Sequence, residues 1–300
     1  MLQPYDSSHR QNLTLNRRAW LAATAAAAAA AALPSSRSVT AAELKGRIKQ
    51  SVCLWCYNGY LKKTDMSLDD FAATCAKLGL QSIELTGPDQ WPTLKKHGLI
   101  CAMVPSHGIT KGLNRIENHE ECLARMRQSI DQAADAGFPN VITFSGNRAG
   151  LDDEEGLKNC VSGLKKIAPY AEQKKITLCM EFLNSINHKD YMADTTKWCV
   201  QLVHQVGSPR VKVLYDIYHA GMMKEDVLAD IQNHHDCWGH YHTGGLPGRN
   251  EIDETQTLNY GQLMRAIVDT GYEGYVGQEF VPKRPDALAS LEQAVRICDV

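Results

Sequence analysis

Short β-rich runs alternate with longer amphipathic stretches through most of the chain. The runs begin after residue 49, and the segments between them carry apolar residues at helical spacing. Strands that alternate with helices pair in parallel through crossover connections. The pattern predicts an α/β sheet of eight parallel strands, at residues 51–55, 82–85, 100–104, 140–144, 176–181, 211–216, 237–242 and 275–279.

The intervening segments also carry the end signals of helices. Ser67 precedes one periodic segment and is followed three residues later by Asp70, a spacing typical of helix N-terminal caps. Glycines such as Gly137 and Gly271 close several of the segments. We expect helices at residues 67–78, 117–136, 154–173, 195–206, 224–234, 260–270 and 285–300.

The same pattern favours a sheet that closes on itself. An open doubly wound sheet is the alternative, but it normally carries a G-x-G-x-x-G phosphate loop, and the sequence has none. A closed (β/α)8 barrel, or TIM barrel, commonly takes a chain of this length as one domain. Because 44% of the residues are hydrophobic and no linker follows residue 45, we predict one barrel domain over residues 45–300.

The first 41 residues are predicted to be a cleavable export signal. The string NRRAWL at 16–21 resembles a twin-arginine motif, an alanine-rich run reaches Leu33, and residues 39–41 are typical of a cleavage site. The apolar run is short for a transmembrane helix. We therefore expect an exported, periplasmic protein with no stable membrane span after signal removal. A membrane anchor and a plain alanine-rich helix are the alternatives.

Ten cysteines all follow this signal. An even number in an exported chain suggests disulfides, but a chain this long does not need them, and most of the cysteines fall in apolar periodic segments. We therefore interpret them as small core residues. Cys53 and Cys56 have C-x-x-C spacing without a second pair for zinc, so we interpret that spacing as incidental.

Four of the predicted strands end in a residue that can bind a metal. Glu181 closes ITLCME, Asp216 closes VKVLYD, His242 closes CWGHYH and Glu279 closes YVGQE. In a closed parallel barrel these strand ends meet at one mouth, where the chemistry of such barrels lies. Three carboxylates and an imidazole predict a divalent metal site, with Mn²⁺ or Mg²⁺ favoured and Co²⁺ or Zn²⁺ also compatible. Salt-bridged residues at the barrel end are the structural alternative.

Glu181 and Glu279 are also candidates for proton transfer. They end the fifth and eighth predicted strands and therefore approach the mouth from different sides. Carboxylates on opposite faces of a planar enediolate can remove a proton from one carbon and return one to its neighbour, while the metal stabilises the developing negative oxygen. The alternative is that both glutamates are metal ligands only.

Four further residues are candidates for substrate binding. His219 lies just past the sixth predicted strand, and Arg249 follows a Pro-Gly turn that suits a clamp for a carboxylate or hydroxyl. His107 and His188 lie in loops after the third and fifth strands. A solvent-exposed surface position is the alternative for Arg249 and His188.

Two residues near the mouth are predicted to have supporting roles. Glu84 ends the second strand and is interpreted as support for the ring of strand ends. Trp55, after the first strand, is interpreted as an apolar wall of the site.

These segments resemble the xylose-isomerase-like barrel superfamily and, within it, the hydroxypyruvate isomerase family. The resemblance covers roughly residues 50–295 and is carried by EFLN at 181–184, YDIYH at 215–219, GHYH at 239–242, LPGR at 246–249 and GQEF at 277–280. It implies a metal-dependent conversion of hydroxypyruvate to tartronate semialdehyde. It also implies that Glu181 and Glu279 transfer the protons and that Asp216 and His242 are the remaining metal ligands.

One departure from this family keeps other functions open. His242 stands where hydroxypyruvate isomerases often have glutamine, and in this respect the chain resembles the ketose 3-epimerases of the same superfamily. A non-catalytic exported sugar- or metal-binding barrel is a further alternative, but a binder needs no base on each face of its ligand. The expected partner is a small-molecule sugar or hydroxy-carbonyl acid, and a homo-oligomer is left open.

Nucleic acid is not an expected partner. The net charge of −2 provides no electrostatic reason for a phosphate backbone to bind. An abasic-site endonuclease would share the barrel and the spacing of Asp216 and His219, but such enzymes need about three zinc ions with more histidine ligands. The region after the seventh strand reads GGLPG at 244–248 and lacks the Asp-x-His pair of those enzymes.

Overall fold

Eight parallel strands form the centre of the structure, a computed structural model that describes residues 44–300. The predicted signal at residues 1–41 therefore lies outside the described residues. The strands are β1 (Lys49–Cys53), β2 (Ser82–Glu84), β3 (Met103–Val104), β4 (Asn140–Thr143), β5 (Thr177–Glu181), β6 (Val211–Asp216), β7 (Trp238–Thr243) and β8 (Tyr275–Gln278).

Helices lie between the strands, as crossover connections require. They are α1 (Asn58–Thr64), α2 (Leu68–Lys77), α3 (Trp91–Lys96), α4 (His119–Ala136), α5 (Asp153–Lys174), α6 (Thr196–Val206), α7 (Ile217–Met222), α8 (Val227–Asn233), α9 (Tyr260–Asp269) and α10 (Ala287–Cys298). Among residues 44–300, no helix has both the length and the apolar character needed to cross a bilayer.

The sheet runs in the order β2-β1-β8-β7-β6-β5-β4-β3, with every pair parallel. Its two ends also meet, because the amide of Ile83 donates to the carbonyl of Ile100 at 3.0 Å and the amide of Leu85 donates to Met103 at 2.9 Å. The strands thus form a nearly closed ring, which confirms the predicted (β/α)8 barrel. Such a ring brings the carboxyl ends of all eight strands to one mouth.

The strands are buried on both faces, as expected for a parallel sheet covered by helices. The four residues of β4 are all buried, and so are five of the six residues of β6. All ten cysteines are free and buried, which confirms their interpretation as core residues and not as disulfides. The hydrophobic core therefore fills the barrel and the layer beneath the helices.

The sequence prediction differs from the structure mainly in short elements. The third strand is limited to Met103–Val104 because side chains replace ladder bonds before it: Ala102 donates to the Ser82 hydroxyl and accepts from the Asn140 amide. The prediction also missed the short helices α1, α3 and α7. Helix α7 starts directly at the end of β6, where Asp216 serves as its N-cap.

Arg148 joins the loop after β4 to the loop after β5, both at the mouth of the barrel. Its guanidinium pairs with Asp194 at 2.9 Å and Asp153 at 2.6 Å, and it also donates to the carbonyl of Tyr191. Asp194 is only 9% exposed in its side chain, so little water can replace the hydrogen bonds that Arg148 donates to it. The contact fixes the loops that follow two neighbouring strands.

We expect the substitution Arg148→Met to lower the free energy of unfolding by about 2–3 kcal/mol, because it leaves the buried Asp194 carboxylate without its charged donor. Urea denaturation of both proteins measures this difference. Arg125→Met is the matched control, because Arg125 pairs with Glu121 on the surface and its loss should cost less than about 1 kcal/mol. Equal effects of the two substitutions would contradict the role given to Arg148.

Candidate metal centre

The four predicted ligands converge at the mouth of the barrel. Glu181, Asp216, His242 and Glu279 each offer one ligand atom, and these atoms all lie within 4.8 Å of one another. Glu181 and Asp216 are the last residues of β5 and β6, His242 lies in β7, and Glu279 directly follows β8. All four side chains are buried. Neighbouring strands therefore deliver three carboxylates and an imidazole to one point.

The start of helix α7 orients Asp216. Its Oδ1 atom accepts hydrogen bonds from the amides of Tyr218 at 2.8 Å and His219 at 3.2 Å. These bonds hold one oxygen at the helix N-terminus, where negative charge is favoured. The other oxygen, Oδ2, faces Arg249 and His219. Local backbone structure thus directs a single oxygen of this carboxylate into the site.

His242 lies between two carboxylates. Its Nδ1 atom is 2.6 Å from Glu279 Oε2, and its Nε2 atom is 3.4 Å from Glu84 Oε2. The same Glu84 oxygen is 2.8 Å from Nε2 of His240, and all three residues are fully buried. Burial opposes the charged ring, but Glu279 and Glu84 outweigh that effect and hold the pKa of His242 well above its usual value.

Arg249 is the cation that lies among these carboxylates. Its Nη2 atom is 2.6 Å from Glu279 Oε2 and 3.1 Å from Asp216 Oδ2, and its side chain is only 16% exposed. The guanidinium stacks over the rings of Trp55 and Tyr218, at 5.1 and 5.3 Å from their centroids. The structure thus places Arg249 inside the site and not on the solvated surface.

Burial disfavours the charged forms of two of the carboxylates in spite of these cations. Burial and the nearby Glu279 raise the pKa of Glu181 to about 8, and burial raises that of Asp216 to about 7 against the attraction of Arg249. Burial also opposes the charge on Glu279, but Arg249 and His242 outweigh it and hold its pKa well below the usual value. At neutral pH the cluster therefore retains protons that an additional cation would displace.

The donor set and its alignment fit a divalent ion. Three carboxylate oxygens and one imidazole nitrogen suit Mn²⁺ and related ions. His242 Nδ1 lies close to Glu279 Oε2, yet it has no hydrogen-bond partner in good alignment. Two ligand atoms that lie side by side without a hydrogen bond between them, as His242 Nδ1 and Glu279 Oε2 do, are expected where both point at a common ion. Two other potential ligand groups occur among residues 44–300. One is Cys53, Glu84 and His242, which is buried and shares His242 with this cluster; the other is His204, Asp236 and Cys237, in which His204 and Asp236 are exposed.

His219 and His188 lie beside the cluster. The amide of Asn184 donates to His219 Nδ1 at 3.1 Å, so the ring proton is on Nε2. That buried Nε2 atom has no hydrogen-bond partner and lies 3.5 Å from Asp216 Oδ2. The ring of His188 packs against it with centroids 5.3 Å apart. The predicted roles of both residues in substrate binding remain predictions, and His219 offers a free N–H for them.

His107 makes contacts within its own part of the barrel. Its Nε2 atom is 2.8 Å from the Thr143 hydroxyl, and its Nδ1 atom is 3.2 Å from the carbonyls of Gly108 and Lys111. Burial lowers the pKa of this histidine, which favours the neutral ring. Neighbours therefore occupy both nitrogens, and the predicted contact of His107 with substrate remains a prediction.

Sequence reasoning missed several contacts of the site. Trp55, interpreted as an apolar wall, donates its indole N–H to Glu279 Oε1 at 2.7 Å. Glu84 and His240 contact each other beneath His242, and Asn184 orients His219. The alternation of His240 and His242 along one strand could have indicated a shared face. The donor in Trp55 had no sequence signal, because Trp55 follows β1 and meets Glu279 only through the pairing of β1 with β8, the last strand of the chain.

The chain belongs to the xylose isomerase-like TIM barrel family, whose model matches residues 63–298. A putative hydroxypyruvate isomerase of Xenopus laevis is 26% identical over 188 residues, which are 60% of this chain and 68% of that protein. A 2-oxo-tetronate isomerase of Cupriavidus necator is 27% identical over 233 residues, or 72% of this chain and 87% of that protein. A D-psicose 3-epimerase of Ruminiclostridium cellulolyticum is 28% identical over 133 residues, or 43% of each chain.

Solved structures share the fold. A Brucella melitensis protein named AP endonuclease, family 2, has a TM-score of 0.70 at 22% identity and covers 81% of this chain and 97% of its own. The IolI protein with a bound zinc atom has a TM-score of 0.62 at 16% identity and covers 84% and 95%. At these identities the likeness shows the barrel alone. The sequence relatives confirm the predicted resemblance to hydroxypyruvate isomerases and the prediction of an isomerase-type enzyme.

The raised pKa of Glu181 predicts how stability depends on pH in chelator-treated protein. The folded carboxyl holds its proton up to about pH 8, whereas the unfolded chain loses it near about pH 4.3. Between these values the folded state binds more protons, so Glu181 lowers the free energy of unfolding as pH rises. Glu181→Gln removes this effect, and the variant should gain stability relative to the parent from about pH 5 to about pH 8.

Urea denaturation at several pH values measures this difference. Both proteins keep Glu279. Its lowered pKa raises the free energy of unfolding as pH rises, and this contribution is common to both proteins and cancels in the comparison. The exposed Glu154 at the start of α5 provides a control, Glu154→Gln. A difference between Glu181→Gln and the parent that does not change with pH would contradict the buried, protonated state of Glu181.

Proposed function

We propose that this protein is a metal-dependent isomerase of a small hydroxy-carbonyl acid or sugar, with hydroxypyruvate and tartronate semialdehyde as the first pair to test. The proposal rests on one observation: Glu181 and Glu279, from β5 and β8, share a buried cluster with Asp216 and His242. Relatives named hydroxypyruvate isomerase and 2-oxo-tetronate isomerase support the choice of substrate class.

Glu181, Asp216, His242 and Glu279 would hold the metal, with Mn²⁺ or Mg²⁺ favoured and Co²⁺ or Zn²⁺ also compatible. When bound, the ion would polarise the substrate carbonyl and offset the negative charge of an enediolate. Related barrels support this assignment, since the IolI structure contains zinc.

The two glutamates would carry the proton between adjacent carbons. Glu279 would accept the proton, because Arg249 and His242 keep it in the ionised form and Trp55 fixes its Oε1 atom. Arg249 pairs with Glu279 and Asp216 and not with Glu181. Burial beside Glu279 gives Glu181 the higher pKa in the metal-free site, so this carboxyl would return the proton to the neighbouring carbon. Unequal environments of two carboxyl groups thus support a base and an acid within one site.

The remaining residues would bind and orient the substrate. His219 presents a buried Nε2–H without a partner, which can donate to a substrate oxygen. Arg249 carries positive charge beside Glu279 and Asp216, where an anionic oxygen would also be stabilised. His188 contacts His219 and is half-buried, so we assign it to the entrance of the site together with the predicted residue His107.

A ketose 3-epimerase is the second candidate function. His242 favours it, because this position resembles the epimerases of the superfamily, and a D-psicose 3-epimerase is among the relatives. The same two glutamates would then remove and return a proton at a single carbon. The two functions differ in the carbon that exchanges its hydrogen.

Incubation of Mn²⁺-loaded protein with hydroxypyruvate and with a panel of ketohexoses in D₂O tests both candidates. Deuterium in tartronate semialdehyde or hydroxypyruvate supports the isomerase, whereas deuterium at C3 of a ketose supports the epimerase. Glu279→Gln should lower the exchange rate by about 10²–10⁴-fold, because it removes the base. Metal content is measured alongside, and the exposed Glu292→Gln is the control.

Thermal stabilisation by a substrate without deuterium uptake would contradict catalysis and favour the non-catalytic binding barrel. Exchange that survives in Glu279→Gln at the rate of the parent protein, with full metal content, would contradict the assignment of Glu279 as the base.

We also propose export of the chain through its twin-arginine-like segment, with the periplasm as its destination. The support is the sequence at residues 16–41 alone. Replacement of both Arg17 and Arg18 by lysine should retain the protein in the cytoplasmic fraction, whereas the parent chain should appear in the periplasmic fraction. The same distribution for both proteins would contradict this proposal.

A further inference from the structure

Glu84 has no role in the proposed proton transfer, yet it is fully buried against the candidate metal ligand His242. It ends β2, which β1 and β8 separate from β7 in the sheet, and its backbone lies in register with Cys53 of β1. Its Oε2 atom is 3.4 Å from His242 Nε2, with which it is aligned for a hydrogen bond, and 2.8 Å from His240 Nε2, with which it makes a close contact without that alignment. A buried carboxylate is costly unless it is paired, so these imidazoles account for its presence inside the barrel.

The two nitrogens of His242 face different partners. Nδ1 lies in the cluster of ligands, 2.6 Å from Glu279 Oε2, while Nε2 faces Glu84. A neutral imidazole that binds a metal through one nitrogen carries its proton on the other. A carboxylate at the second nitrogen holds that proton in place and raises the basicity of the first.

Gly277 makes room for this contact. It pairs in register with His242, two residues before Glu279 on β8. A Cβ atom at this position would lie 2.8 Å from Cδ2 of His242 and closer still to Oε1 of Glu84. Its φ angle is not positive, so the requirement for glycine here is the space taken by the two side chains and not the backbone conformation.

We propose that Glu84 is a positioning residue that fixes the Nε2–H tautomer of His242 and so directs Nδ1 to the metal, with His240 sharing the same carboxylate oxygen. The inference rests on the proposed metal site and adds Glu84 and His240, which lie behind the candidate ligand His242. Glu84 would act on metal affinity through His242 and would touch neither metal nor substrate.

Metal affinity tests this proposal directly. Competition with a chelator measures the dissociation constant of Mn²⁺ for the parent chain and for Glu84→Gln, which keeps the shape of the side chain and removes its charge. We expect the dissociation constant of the variant to rise by about 10–100-fold. Glu292→Gln, on the exposed face of α10, is the matched control and should bind Mn²⁺ as the parent does.

A second variant tests the space that the contact needs. Gly277→Ala should displace the Glu84 carboxylate and the His242 ring from each other and weaken Mn²⁺ binding in the same direction. Gly261→Ala is its control. A Cβ at that helical position lies 3.6 Å or more from its neighbours, which are Arg265 and Asn259 and do not belong to the site. Unchanged affinity in both Glu84→Gln and Gly277→Ala would overturn the proposal.

The tautomer of His242 can be measured directly in the protein without a substitution. In Zn²⁺-loaded protein with ¹⁵N-labelled histidine, NMR should show the proton of His242 on Nε2, with the signals assigned by their loss in His242→Gln. A proton on Nδ1 would overturn the proposal, and so would a second bound ion that Glu84→Gln removes, since Glu84 would then be a ligand. Absence of any metal binding by the parent chain would instead contradict the proposed function.

Discussion

The mutual repulsion of three buried carboxylates is the constraint on which the site depends. Glu181, Asp216 and Glu279 lie within one small volume that contains His242, and Glu84 adds a further charge directly beneath. Arg249 compensates for part of this charge, while burial, with Glu279 as a further cause, raises the pKa values of Glu181 and Asp216 and disfavours their charged forms. Groups arranged in this way are stable with a divalent cation between them or with protons in its place.

The barrel is the rigid frame that holds these mutually repelling carboxylates close to one another. Parallel pairing places the ends of β5, β6, β7 and β8 side by side, and each end contributes one ligand. Further contacts then orient two of these groups. Helix α7 fixes one oxygen of Asp216, and Trp55 and Arg249 fix Glu279. Side chains held by ordered strands and helices change little on binding, which preorganises the site for charge that develops in a reaction.

The sequence predicted the barrel and the four converging residues because both depend on periodic patterns. Alternating strand and helix patterns define the fold, and the strand-end positions of Glu181 and Asp216 follow from it. Contacts that depend on the reach of individual side chains between strands were not predictable in this way. Trp55 donates to Glu279, and Glu84 reaches His242, between strands far apart in sequence. The shortness of β3 depends likewise on the side chains of Ser82 and Asn140.

The position of the metal tests the central claim most directly. Anomalous diffraction from crystals of the Mn²⁺-loaded protein should show one ion within about 2.0–2.4 Å of an oxygen from each of Glu181, Asp216 and Glu279 and of Nδ1 of His242. An ion bound elsewhere, or a mouth in which Arg249 alone holds the three carboxylates at saturating Mn²⁺, would contradict the account.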